Sequence, residues 1–174
     1  MSNSLEIASD TTFKNLSFGE VTLSESVKRI IEFIKKEPEY KYEIAVGTDS
    51  QTYNDTKFAL AIVVHRLNTG AIFFCRTMHH EQFRKTELQK KLYAETQVSL
   101  DTAEVLLNEF AEQDFDITEM TDQIRFVIHV DIGNTGKTKA YISELTGWVN
   151  AQGFNCEIKP ESYAASTVAD RYSK

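Results

Sequence analysis

The sequence predicts an α/β fold whose elements run β-β-β-α-β-α-β-α after one extra helix, giving a five-stranded mixed sheet with helices on both faces. Three observations carry that expectation. Apolar residues recur at helical spacing in stretches long enough to act as crossovers, β-rich runs bounded by turn residues lie between them, and no repeat or low-complexity linker interrupts the order. A chain of 174 residues falls within the usual size of one domain and can bury about 70% of its unfolded surface, so residues 1–174 are expected to form a single domain.

Residues 1–21 are polar and mixed, and read as a poorly ordered tail or an extended arm. The extra amphipathic helix is expected over 22–37. Thr22 and Glu25 have capping-box spacing, Val27, Ile30, Ile31 and Ile34 recur at helical intervals, and Pro38 stops the pattern. The core is expected over 42–174. Ile44, Ala45 and Val46 form a short apolar run ending in Gly47-Thr48-Asp49-Ser50, which reads as a buried strand stopping at a polar edge. Two β-rich runs, 58–64 and 71–75, flank the turn signal Asn68-Thr69-Gly70 and predict a hairpin. From about residue 84 to residue 113 there is no Gly or Pro and helix formers dominate, which predicts one long helix. An acidic loop with Asp114, Asp116, Glu119 and Asp122 leads into a fourth buried strand over 125–131. Ile142, Leu145 and Val149 then mark a helix that Gly153 can end. Phe154, Cys156 and Ile158 alternate with Asn155, Glu157 and Lys159, the period of a half-exposed fifth strand, and Pro160 closes it. Ser162 can cap a final helix over 164–172.

Composition narrows the classes of function. Hydrophobic residues make up 41% and charged residues 26%, which fits a globular chain, and no apolar run of about 18 residues is present to span a bilayer. The first residues, MSNSLEIASDTTF, lack the basic start and apolar stretch of a secretory signal, so a cytoplasmic protein is expected. Cys75 and Cys156 read as reduced, packed thiols. A net charge of −7 argues against a general nucleic-acid coat protein, which needs clustered Lys and Arg, but leaves room for a nuclease whose carboxylates are neutralised by bound ions.

The helix between the third and fourth strands lets the first and fourth lie parallel and adjacent, since parallel neighbours need a crossover. Asp49 and Asp131 then meet at the carboxyl ends of their strands, the edge where open α/β sheets hold ligands. Taken alone, each acid reads as a turn residue or helix cap. Together they repel unless one is protonated or a cation lies between them. On a helical wheel Leu88, Leu92, Ser99, Leu106 and Phe110 share one stripe with Glu95, while Glu87 lies on a flank and Glu104 nearly opposite. A carboxylate on an apolar stripe asks for a partner; a local salt bridge to Lys91 is the plainer one, and a metal the other. Asp170 sits among Ala164, Ala165, Ser166 and Ala169, small residues that let a helix approach a sheet, and alone it reads as part of a solvated terminal turn.

The segments GTDSQ (47–51), YAETQVSL (93–100), HVDIGNTGKTK (129–139) and SYAASTVADRYSK (162–174) resemble the YkuK family of uncharacterised bacterial ribonuclease H-like proteins, and the likeness covers nearly the whole chain. The resemblance implies the ribonuclease H-like fold and four acids in order: Asp49 on the first core strand, Glu95 on the first crossover helix, Asp131 ending the fourth strand and Asp170 near the C-terminal helix. Glu95 departs from the wider superfamily pattern by lying deeper in its helix. The implied activity is two-metal hydrolysis of phosphodiester bonds in RNA, RNA–DNA hybrid or structured DNA, with Mg²⁺ or Mn²⁺ ions about 4 Å apart. Asp49 would bridge both ions, Asp131 and Glu95 would hold one, and Asp170 the other. Ser50, Gln51, Lys137, Lys139 and His80 are candidate substrate contacts; for the two lysines a solvated helix start is the plainer reading.

Three rivals remain. A non-catalytic nucleic-acid or protein binding module could keep the same fold, because fold does not fix function. Residues 131–138 follow a strand and open a helix as a phosphate-binding loop does, but Asp131 stands where that pattern needs its first glycine. Cys75, His79 and His80 lack the paired spacing of a zinc site, and His65 and His129 read as satisfied strand histidines.

Overall fold

The computed structural model describes residues 5–52, 55–80 and 87–164. Among these, seven strands form one sheet in the order β2-β1-β5-β4-β3-β6-β7. The strands are β1 (Thr12–Asn15), β2 (Gly19–Thr22), β3 (Tyr42–Thr52), β4 (Thr56–Arg66), β5 (Ala71–His80), β6 (Ile124–His129) and β7 (Asn155–Glu157). Three α-helices connect them: α1 (Leu23–Lys36), α2 (Leu88–Glu112) and α3 (Ile142–Ala151). β3, β4 and β5 form an antiparallel meander, whereas β6 lies parallel to β3 and β7 parallel to β6. The sheet is therefore mixed, as the connections require: short loops join the antiparallel strands, and α2 and α3 carry the chain back for the parallel ones.

The sheet has seven strands and not the expected five, because part of the presumed arm over 1–21 is a hairpin. β1 pairs with β2 from Thr12↔Thr22 to Asn15↔Gly19, and joins the sheet edge where Lys14 meets Cys75 of β5. Phe13 and Val21 face each other across this hairpin and are buried. Asn15 fixes the end of β1, its amide donating to Phe73 O at 2.9 Å while its Oδ1 accepts from the Ser17 and Phe18 N–H groups. α1 starts at the cap the spacing suggests, the Glu25 N–H donating to Thr22 Oγ1 at 3.1 Å, and it buries Val27, Ile30, Ile31 and Ile34. The expected final helix over 164–172 begins where the described residues end.

Strand alternation gives the sheet two distinct faces. Ile72, Val64, Ile44 and Phe126 form one row across β5, β4, β3 and β6, and Phe74, Ile62, Val46 and Ile128 another. Both rows join the main core, to which α1, α2 and α3 contribute Val27, Ile30, Leu92, Leu106, Phe110, Leu145 and Val149. The intervening row, Phe73, Val63, Ala45 and Val127, faces the other way and packs against Tyr163 and Ala164. His129 secures that contact. The Ala164 N–H donates to His129 Nδ1 at 3.1 Å and the Tyr163 ring meets the imidazole edge-on with centroids 4.8 Å apart. Burial lowers the pKa of His129, against the opposing pull of Glu43 and Glu157. On the same face Arg125 ties three strands together, donating to Glu43 of β3 at 3.0 Å and to Glu157 of β7 at 2.6 Å.

Candidate active site

The parallel register of β3 and β6 runs from Tyr42↔Ile124 to Gly47↔His129. Asp49 and Asp131 each lie two residues past that last pair. Asp49 remains within β3, opposite Ala59 of β4. The chain turns at Asp131, where the Ile132 N–H donates back to Val130 O at 2.8 Å, a tight turn of the kind common at strand ends. Alternation places Asp49 on the same face as Glu43 and Ala45, which is the face that Ala164 covers. Asp49 Oδ1 accepts the Ser50 N–H at 2.8 Å.

Ser50 points the other way, toward α2. Its hydroxyl donates to Glu95 Oε1, and Thr48, two residues back on the same face, meets Ser99 with hydroxyls 2.7 Å apart. Glu95 and Ser99 are one helical turn apart and Thr48 and Ser50 one strand period apart, so two polar rungs join α2 to the carboxyl end of β3. Glu95 is 7% exposed and sits among Leu92, Thr96, Val98 and Ser99 of the buried helix face, where the apolar stripe predicted it. Burial pushes its carboxyl well above the ordinary value, the Ser50 hydroxyl opposes this, and the charges of Asp49 and Asp131 raise it further. Lys91 exerts only the weakest of these effects. Glu87 lies at the start of α2 and pairs with Lys90 at 3.3 Å.

Asp131 has a partner the sequence did not suggest. The Lys159 ammonium stands 3.1 Å from its Oδ1, with the two side chains 53% and 15% exposed. The contact is one of charge, since that oxygen is sealed from solvent and accepts no hydrogen bond of normal geometry among the described residues. Nothing local marks Lys159: it follows a three-residue strand and reaches the site only because β7 lies beside β6.

Thus Asp49 and Asp131, from strand ends, both bear on Glu95 of α2 at one end of the sheet. Asp170 lies outside the described residues. Among the described residues no three His, Cys, Asp or Glu side chains are gathered closely enough to hold one ion, as Glu95 is turned to Ser50 and Asp131 to Lys159. The chemistry of the set nonetheless suits a hard divalent cation: all are carboxylates, and a sealed Asp131 oxygen without a hydrogen bond is the acceptor such an ion would satisfy.

The remaining candidates are more dispersed. Gln51 is exposed near the end of β3, and His80 closes β5 opposite Thr56. Lys137 and Lys139 are exposed on a short 3₁₀ turn, Lys137–Tyr141, that precedes α3. The phosphate-loop pattern at 131–138 folds on itself, the Gly133 N–H donating to Thr138 Oγ1 at 3.2 Å. Cys75 is buried with its thiol pushed up to about 12, a poor source of the thiolate that zinc requires, and His79 pairs with Asp55 at 3.2 Å.

A mixed sheet in this order agrees with the family match: the chain belongs to the Ribonuclease H-like family, matching it over residues 25–174. Among individual proteins, it is 35% identical to "Uncharacterized protein YkuK" of Bacillus subtilis (strain 168), across 97% of this chain and 100% of that one. No solved structure is significantly similar to it. No helix among the described residues is long and apolar enough to cross a membrane.

Proposed function

We propose that the chain is a metal-dependent nuclease that hydrolyses phosphodiester bonds of RNA, RNA–DNA hybrid or structured DNA. The observation that carries this reading is Glu95: a carboxyl buried on α2, aimed at the end of β3 and burdened by the charges of Asp49 and Asp131. Such a group is costly in a fold that needs it only for packing, where an apolar side chain would serve. Asp49, Glu95 and Asp131, with Asp170, would hold Mg²⁺ or Mn²⁺. When bound, two such ions supply an activated water and stabilise the leaving oxygen of the phosphodiester.

The protein's own groups prepare the site. The Ser50 hydroxyl fixes the rotamer of Glu95, and its N–H holds one oxygen of Asp49, so two acids are oriented by one residue. The exposed Lys137 and Lys139 offer positive charge beside the acid turn for a phosphate backbone, and Gln51 and His80 are candidate contacts along the same sheet end. The experiment is cleavage of labelled single-stranded RNA, hybrid and branched DNA with Mg²⁺, Mn²⁺ or EDTA. Cleavage by the wild type that is nearly abolished in Asp49→Asn is the expected result, because the amide keeps the shape and removes the charge.

A second reading is favoured by a specific observation. Lys159 already neutralises Asp131 and Ser50 already satisfies Glu95, so the acids could serve a binding module with no metal at all. Nucleic-acid binding that is the same in EDTA and in Mn²⁺, with no cleavage, would identify that case.

A further inference from the structure

Lys159 has no part in the nuclease reading, yet three features bring it to the site. Its backbone N–H donates to Ile132 O at 2.8 Å, and the Val130 N–H donates to Glu157 O at 2.9 Å, so the chain after β7 stays zipped to the turn that carries Asp131. Gly133 leaves space for the lysine stem: a Cβ added there would stand 3.2 Å from Lys159 Cβ. The ammonium then reaches 3.1 Å from Asp131 Oδ1, a sealed oxygen with no hydrogen bond among the described residues. Backbone pairing and stem packing thus bring the lysine to this one carboxylate, with its head still reaching solvent.

We propose that Lys159 is a resident counter-charge: it holds the Asp131 carboxylate in place in the metal-free protein and competes with a divalent cation for it, thereby setting the metal affinity of the centre. This rests on the metal-dependent reading above. A cation that coordinates the same oxygen meets the ammonium at short range, and like charges repel. The lysine head must therefore leave as the metal arrives. It is 53% exposed on a flexible stem, so solvent can receive it. Lys159 is a positioning residue in this account, acting through Asp131.

The test is Mn²⁺ titration of the full chain by calorimetry at low salt, with wild type, Lys159→Met, Lys159→Gln and Lys159→Arg, each checked for folding by circular dichroism. Both neutral variants should bind Mn²⁺ about three- to tenfold more tightly, a modest gain because the pair is partly exposed and screened. Lys159→Arg should stay near the wild type, since it keeps the charge. Equal affinity in the wild type and both neutral variants overturns the proposal and leaves the nuclease reading standing. So does weaker binding in the neutral variants, or tighter binding in Lys159→Arg, either of which makes the lysine a structural support. Absence of Mn²⁺ binding in all four proteins overturns both.

Discussion

Burial and the charges of Asp49 and Asp131 make Glu95 hold a proton that an exposed glutamate would release. As pH rises above the ordinary value of 4.5, the unfolded chain loses that proton first, so the folded chain binds more protons and loses stability until Glu95 itself ionises. Glu95→Gln removes the penalty and keeps an acceptor for the Ser50 hydroxyl. In EDTA the variant should therefore melt above the wild type at about pH 7 and alongside it at about pH 4, as followed by circular dichroism. Identical melting at both pH values would mean that Glu95 is not strained by its surroundings. The same logic applies to Asp49→Asn, whose stability without metal should hold or rise, since one of the two charges that burden Glu95 is gone. At this scale Glu95 could be read from sequence, because a single acid on an apolar helical stripe is visible from spacing alone. Lys159 could not be, because its partner is brought to it by strand pairing and by the missing side chain at Gly133.

The elements divide along a similar line. β3 to β7, α1, α2 and α3 are each long enough, or bounded clearly enough, to leave a period in the sequence; β1 and β2 are four residues each and show none. β1 is ordered by pairing with β5 and β2 by pairing with β1, together with Phe13, which is 1% exposed. Phe13→Ala should destabilise the protein by about 3–5 kcal/mol in urea titration, the range for a buried aromatic. A loose arm would lose less than about 0.5 kcal/mol, the ordinary cost of a surface change. Thr22→Ala should cost about 1 kcal/mol by removing the cap of α1. The long α2 stops where the sequence offers no glycine: Asp114 takes the left-handed conformation at φ 57°, and the Phe115 N–H returns to Phe110 O at 2.9 Å. The expected end near residue 113 therefore holds with no glycine to mark it, Asp adopting this conformation, though less readily than Gly.

Across the whole molecule, the proposed site lies where two faces of one sheet come together. Glu95 reaches the end of β3 from the face covered by α1, α2 and α3, while Asp49 belongs to the face on which Tyr163 and Ala164 pack. The net charge of −7 adds to the local repulsion among these acids, and bound cations are what would relieve it. The claim that this sheet end is a metal centre is tested most directly by soaking crystals in Mn²⁺ and measuring anomalous scattering. The account predicts a peak coordinated by Asp131 and shared with Asp49 or Glu95, with the Lys159 ammonium moved away from Asp131. An anomalous map with no peak among these carboxylates at millimolar Mn²⁺, and Lys159 still on Asp131, would contradict it.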